Sequence, residues 1–371
     1  MSCPVRLYPL HKPKNHTLPI PRWNLKLPES ATHIFTTYLG IQNRSDDGTA
    51  TQAQTQLSSA IDIWLKDESG PDTSEPFTLI DGGEHVNSTT TTRIWVCYWL
   101  DATKHRLASD QLSLPTLYST LDQESRASIG IWRETFKTAI PRLETNYSGL
   151  DYLPGLARLP GAQFPEHDRS AYWGAARDRI PNSAHDLFPR AAGVPAHLPS
   201  DAAPRGIGQH LLGTNFQNIV HIRSGQFWKN CGQQEADAYE KKLEPTLHEG
   251  LRYLWEHPEE TEALSVRYLR NEAEEDELQS GRLRKETCGA AFFSSLDMLE
   301  RWAKTHRSHL AIYRGALAHY KQFGDYRRLR TWHEVSVLEE GDAVFEYINC
   351  LPETGVIKSI ELEVKSRWTG E

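Results

Sequence analysis

The chain has 371 residues, enough to bury a sizeable core in two domains or one large one. Its 38% hydrophobic and 24% charged residues argue against wholesale disorder, and a formal net charge of −8 leaves no basic face for nucleic acid. Five scattered cysteines, Cys3, Cys97, Cys231, Cys288 and Cys350, contain no CxxC pair, which argues against a disulfide framework or a structural zinc site and fits a reducing compartment. No stretch approaches the roughly 20 apolar residues of a membrane span, and the proline-broken N-terminus does not read as a signal peptide; the expectation is a cytoplasmic protein without a membrane or nucleic-acid partner.

Residues 1–30 read as a Pro-rich arm. Pro4, Pro9, Pro13, Pro19, Pro21 and Pro28 forbid a regular helix or a central strand, so the arm is either disordered or draped over a surface, a partner subunit's included. His33–Ile41, rich in β-branched and aromatic residues, reads as a strand. Gln52–Lys66 carries Leu57, Ala60, Ile61 and Leu65 at helical spacing. Phe77–Ile80 and Arg93–Trp99 read as strands, and Ser125–Leu143 as helical. The Pro/Gly-rich stretch 188–208 reads as a linker, or as a long loop closing over a site. The same order then recurs. Asn218–Ile222 reads as a strand, Glu235–Trp255 as a long helix, and Leu264–Leu269 and Thr287–Phe293 as strands. Leu296–Phe323 reads as one amphipathic helix with a capping box at Ser294 and Asp297. The basic run Tyr326–Arg330 reads as a solvated surface turn. Arg330–Val337 and Ala343–Ile348 read as strands around a turn at 339–342. Strand–helix–strand–strand–helix, twice over, is the order of a ferredoxin-like unit. The expected fold is α+β: one half over residues 31–187, a second over 209–371, and their sheets joined into a β-barrel with helices outside.

Five places carry side chains suited to chemistry. His306 and His309 lie on the long helix amid Trp302, Leu310, Ile312, Tyr313 and Leu317. Such a histidine is commonly a satisfied core residue, but a neutral imidazole in apolar walls is also what an axial haem ligand requires. His333 alternates with Trp332 and Glu334 along a strand, so it faces away from both. Facing inward, it becomes a buried group suited to general acid–base work; otherwise it is structural. Ser224, in Ile222–Gln226 after a strand, sits in an ordinary turn or donates a hydrogen bond to a ligand, and it lacks the G-x-S-x-G pattern of a nucleophile elbow. Arg177 and Arg179 flank Asp178, which invites a structural ion pair, or they clamp a carboxylate or substrate oxygen. Glu144, at an expected helix end, reads as solvent-facing.

Taken in order, these blocks resemble the aldoxime dehydratases, haem enzymes that make nitriles. The resemblance rests on Trp332–Val337 followed by Val344–Gly355, on Ile222–Gln226, on Tyr172–Gly174 with Arg177–Arg179, and on Leu299–Ala303 leading to Ser308–Ile312. It spans roughly residues 30–360. It implies that His309 is the axial ligand of haem b, that His333 is the distal acid–base residue, that Ser224 and Arg179 hydrogen-bond the substrate N–OH, and that Glu144 supports the histidine. It also implies a homodimer of α+β barrels acting on a small aldoxime. The Pro-rich arm, the stretch 188–208 and the segment 321–327 look longer than in bacterial members. Other haem readings stay open at this point: a peroxidase-like enzyme of the same barrel type, a non-catalytic haem carrier or sensor, and thiolate ligation through Cys350.

Overall fold

The computed structural model describes residues 6–45, 48–82, 91–194, 198, 206–272 and 284–367. Strand β1 (His33–Asn43) leads into helix α1 (Gly48–Leu65), then β2 (Thr73–Asp81) and β3 (Thr92–Trp99). Three short helices follow, α2 (Ala102–Gln111), α3 (Leu114–Ser119) and α4 (Gln123–Ser128). Each starts on a side chain that accepts from its free backbone N–H groups: Asp101, Ser113 and Asp122. The helix expected over Ser125–Leu143 ends at Ser128. From there the chain runs as β4 (Ile129–Ala139) and, after one 3₁₀ turn, β5 (Leu143–Tyr147). The period decides this: Trp132, Glu134, Phe136 and Thr138 are buried while Arg133, Thr135, Lys137 and Ala139 alternate with them, which suits a strand and not a helix.

The second half begins after α5 (Ala175–Arg179) with β6 (Gln209–Thr214) and β7 (Val220–Phe227). It continues with α6 (Gln233–Ala238), a π turn, α7 (Glu244–Glu256), α8 (Pro258–Thr261), β8 (Ala263–Asn271) and β9 (Glu286–Phe293). Strand β7 starts later and runs further than expected, which places Ser224 in mid-strand and not in a turn. The expected single helix 296–323 is two, α9 (Leu296–Thr305) and α10 (Arg307–Phe323). His306 breaks it by adopting extended backbone and accepting from Ser308 N–H as the cap of α10. The cap of α9 is Ser295, one residue beyond the expected box, because Ser294 turns to Glu262 instead. Strands β10 (Arg330–Val337), β11 (Ala343–Ile348) and β12 (Glu363–Arg367) complete the chain. In the run 326–330, Tyr326 is exposed but Arg327, Leu329 and Arg330 are buried, so it is not the solvated turn expected.

All strands belong to one antiparallel sheet in the order β12-β6-β11-β4-β1-β3-β2-β8-β9-β7-β10-β5. Two quartets, β4-β1-β3-β2 and β10-β7-β9-β8, share one order and meet at the β2–β8 edge. Each quartet's outer edge is extended by a strand from elsewhere in the chain. β11 lies on β4, and β5 lies on β10. The fold is therefore α+β with a large antiparallel sheet.

Side chains from distant strands meet on the inner face, so the sheet curls around a common core. Phe136 packs edge-on to Phe292, and Tyr38 against His221. Trp132 lies flat across Gly40 and Trp332 across Gly225; a Cβ at either glycine would fall 2.0 or 2.3 Å from the indole. Over these indoles sit two buried arginines, Arg267 and Arg223, paired with Glu134 and Glu75. Such fully buried pairs contribute more to fixing one arrangement than to net stability.

The described part of the arm is neither helix nor central strand. It is draped over this chain, with Trp23 bridging Tyr147 on β5 and Lys26 bridging Gln163. Residues 195–197 and 199–205 of the expected linker, and 1–5 of the arm, lie outside the described residues. Among the described residues no helix is long and apolar enough to cross a membrane, and Cys97, Cys231, Cys288 and Cys350 form no disulfide.

Candidate active site

The register of the second quartet builds one wall of a cavity row by row. Ser224 on β7 lies opposite His333 on β10, which lies opposite Asn146 on β5; on the other side Ser224 faces Gly289 of β9. The neighbouring rows pair Ile222 with Val335 and Gln226 with Thr331. Alternation sends Arg223, Trp332 and Glu334 to the core and leaves Ser224 and His333 on the outer face. His333 therefore faces a cavity between sheet and helices, not the common core. The opposite wall comes from α7, α9 and α10, and the volume is about 830 Å³.

Three predicted residues from distant parts of the chain converge there. His333 Nε2 lies 2.7 Å from Arg179 Nη2 and 2.9 Å from Glu144 Oε1. Arg179 Nε donates to Glu144 Oε2 at 2.9 Å. Glu144 reaches His333 because β5 pairs with β10 and not with its own quartet. Its side chain is 0% exposed, not solvent-facing as expected. Burial alone would raise its carboxyl pKa, but the charges of Arg179 and His333 outweigh that and hold it at about 2. An arginine has only donors and a carboxylate only acceptors. His333 Nε2 thus has a partner in each protonation state: it accepts from Arg179 when bare and donates to Glu144 when protonated.

Arg177 does a different job. It pairs with Asp297 and Glu300, tying α5 to α9. The expected pairing of these arginines with Asp178 is not formed. Asp178 instead accepts from the backbone of His11 and Lys12 and from the Tyr172 hydroxyl, which fastens the arm over the cavity.

His309 is in the first turn of α10 and lines the same cavity. Trp302 meets its ring edge-on at 4.8 Å. Burial pulls its pKa down to about 4, opposed in part by the Ala303 carbonyl, and the positive end of α10 also disfavours the imidazolium. The ring is neutral, as a metal ligand must be. Its surroundings suit a flat macrocycle: Leu247, Leu251 and Leu254 of α7 and Ile312, Ala316 and Leu317 of α10 are apolar, and Gly289 and Ala291 keep the sheet wall low. The volume is at the upper end of the range for ligand pockets, about 300–1,000 Å³. Cys350 is elsewhere, buried against Ile131 and Ile348, so thiolate ligation in this cavity is excluded. His306 is a helix cap stacked on Tyr253.

The sequence reading missed Asn146, Gln226, Thr331, Arg22 and His11, all of which line the cavity. Gln226 and Thr331 were within reach, since period-two counting from Ser224 and His333 finds them. Asn146 needed β5 to be recognised as a strand. For the arm residues there was no local signal.

A sequence profile of the haem-containing dehydratases matches residues 37–356, and the chain belongs to that family. Similar proteins include an aliphatic aldoxime dehydratase of Rhodococcus globerulus, 29% identical over 363 residues and 96% of both chains, and a phenylacetaldoxime dehydratase of Bacillus sp. (strain OxB-1), 28% identical over 94% of both. A crystal structure of an aldoxime dehydratase in complex with butyraldoxime superposes with a TM-score of 0.80 at 27% identity, covering 96% of this chain and 94% of that one.

Proposed function

We propose that the protein is a lyase that dehydrates aldoximes, R–CH=N–OH, to nitriles and water, with haem b held by His309 and His333 as the proton carrier. The observation that carries this reading is the placement of His333 Nε2 between Arg179 and Glu144, in the cavity that also holds a neutral His309.

When bound, ferrous haem supplies an electron-rich iron for the oxime nitrogen. The chain supplies the proton handling. Hydroxide is a poor leaving group, so its oxygen must be protonated as N–O breaks, and protonated His333 is the donor. The bared Nε2 is then held by Arg179, and the imidazole takes up the proton lost from carbon. Glu144, held ionised, accepts from the protonated imidazole at the start of the cycle. Ser224 and Arg179 orient the N–OH toward His333.

The same reading takes residues 31–187 and 209–371 as two ferredoxin-like halves of an α+β barrel, with 1–30 as an arm and 188–208 as a linker. The shared quartet order and the common inner core support it. The family resemblance supports a homodimer, and the scattered cysteines support a reducing, cytoplasmic setting.

The test is the spectrum of the anaerobically reduced haem protein with and without an aldoxime, followed by nitrile detection. A ligand-dependent spectral shift and nitrile formation are expected. Peroxide turnover with no nitrile from any aldoxime would replace this reading with a peroxidase-like one, and haem exchange without turnover with a carrier.

A further inference from the structure

Arg22 belongs to the N-terminal arm, yet it lines the cavity. Its backbone is fixed to the rigid part of the molecule. The adjoining Trp23 exchanges two backbone hydrogen bonds with Tyr147 of β5, at 3.1 and 2.8 Å, and the Arg22 carbonyl accepts from His167 N–H at 3.0 Å. The guanidinium spans the two walls at one end of the cavity. Nη1 donates to Thr331 Oγ1 on the sheet wall at 3.4 Å, and Nη2 to the Tyr320 hydroxyl on the helix wall at 3.0 Å.

Both partners are neutral hydroxyls, which sets Arg22 apart from its neighbours. Arg177 meets Asp297 and Glu300, Arg179 meets Glu144, and Arg330 meets Asp151. Among the described residues Arg22 has no carboxylate partner. Arg327, 5.2 Å from the centre of the Tyr320 ring, is also hydrogen-bonded by neutral groups, the carbonyls of Ser148 and Leu329, with Glu235 acting on it only through its charge. This end of the cavity is therefore electropositive. Tyr320 registers it: burial alone would raise its phenol pKa, yet Arg22, Thr331 and Arg327 together turn the shift downward.

The two sides of the catalytic row differ accordingly. Toward one side lie Ile222 and Val335, both apolar; toward the other lie Gln226 and Thr331, then Arg22. Thr331 is two residues from His333 on the same strand face, a step of ~7 Å.

We infer that Arg22, held between Tyr320 and Thr331, is a specificity-determining residue that binds a carboxylate at the far end of the substrate. The substrate class is then an aldoxime whose chain carries a carboxylate about four to seven bonds from the oxime carbon, matching that step along the strand. This rests on the aldoxime dehydratase reading above. A guanidinium pre-set by backbone anchors and lacking an internal carboxylate binds such a tail with little ordering cost.

The experiment compares the oxime of adipic semialdehyde with that of its methyl ester, in wild type, Arg22→Leu, Arg22→Lys and Tyr320→Phe, all as haem-loaded protein. The readouts are the ratio of kcat/KM for acid over ester, the Soret absorbance per chain, and calorimetric binding of each oxime. In wild type the ratio is expected above one. Arg22→Leu lowers it by roughly ten- to a hundredfold, the effect of a lost charged hydrogen bond. Arg22→Lys keeps part of it, and Tyr320→Phe lowers it less than Arg22→Leu. If Arg22→Leu does not fold, Arg22→Gln is read in the same way. A wild-type ratio at or below one, or a ratio unmoved in Arg22→Leu, overturns the inference. So does lower haem retention in Arg22→Leu with an unmoved ratio, which assigns the cation to a haem carboxylate. Should no aldoxime yield nitrile, the activity reading fails instead. Calorimetry then decides the tail site alone: tighter binding of the acid, lost in Arg22→Leu, supports it, and equal binding overturns it.

Discussion

The two quartets of the sheet have the same strand order but treat their outer faces in opposite ways. The flat indoles put them in register, since Trp132 lies over Gly40 in one and Trp332 over Gly225 in the other. One step along, the first quartet has the row Trp95–Leu39–Arg133, ending on Glu346 of β11. The second has Gly289–Ser224–His333, ending on Asn146 of β5. Trp95 and Leu39 fill their face and pack with Leu57, Ile61 and Trp64 of α1. Arg133, in the position of His333, is consumed by Glu346 and by the carbonyls of Ser109 and Leu112. Glycine and serine leave the equivalent space empty in the second half. One topology thus serves as a packed layer or as a reaction chamber, and the volume of two side chains in one row separates them.

The largest expected effect comes from the helix wall of the second half. His309→Ala removes the neutral imidazole on the helix wall of the cavity, and the purified variant should lack the Soret band. A normal Soret band would remove His309 as ligand. Next, Gly289→Trp imports the first half's residue. A Cβ there already meets Leu251 at 3.2 Å, so the indole must occupy the chamber. Haem binding should fail while far-ultraviolet circular dichroism is retained; stoichiometric haem would show that row volume does not open the site. His333→Ala should keep haem and lose nitrile formation by about 10²–10⁴-fold, the usual worth of a positioned acid–base group. Turnover at the wild-type rate would count decisively against it. Ser224→Ala should cost roughly ten- to a hundredfold.

The smallest effect tests what the halves share. Burial holds His105 of α2 in the first half and His309 of α10 in the second at about 4, below the ordinary 6.5. The unfolded chain binds these protons first, so stability of the haem-free protein falls as pH drops from about 6.5 to about 4 and then levels off for these groups. His105→Phe should flatten that slope by one proton, up to roughly 3 kcal/mol across the window. An unchanged slope in urea titrations would show that His105 is already charged in the native state. The depressed carboxyl of Glu144 behaves differently: its contribution is present above about 4.5 and is lost only as pH falls toward 2.

Much of this was written locally in the chain. Strands such as His33–Asn43 and Arg330–Val337 announce themselves by β-branched and aromatic residues, and the long amphipathic stretches α1 and α7 by their helical spacing. The sequence also determined the chemical inventory: an imidazole amid apolar residues at 309, another alternating out of a strand at 333, and an arginine pair at 177 and 179. Local pattern misleads where pairing or capping by other groups decides the outcome. The stretch 129–139 became a strand because β1 pairs along all of it, and the helix around His309 broke because His306 prefers to cap. His309 and His333 acquired their relation only in three dimensions. That β5 leaves its own quartet to lie on β10 is a pairing between distant segments, and it alone brings Glu144 to His333. Whether Arg179 or Arg177 reaches that pair depends on which carboxylate each meets after folding. The docking of Arg22 depends on backbone bonds to Tyr147 that no local pattern encodes. Local propensity depends on a residue and its near neighbours in sequence, whereas a site of this kind depends on hydrogen bonds and charges between segments from 35 to more than a hundred residues apart.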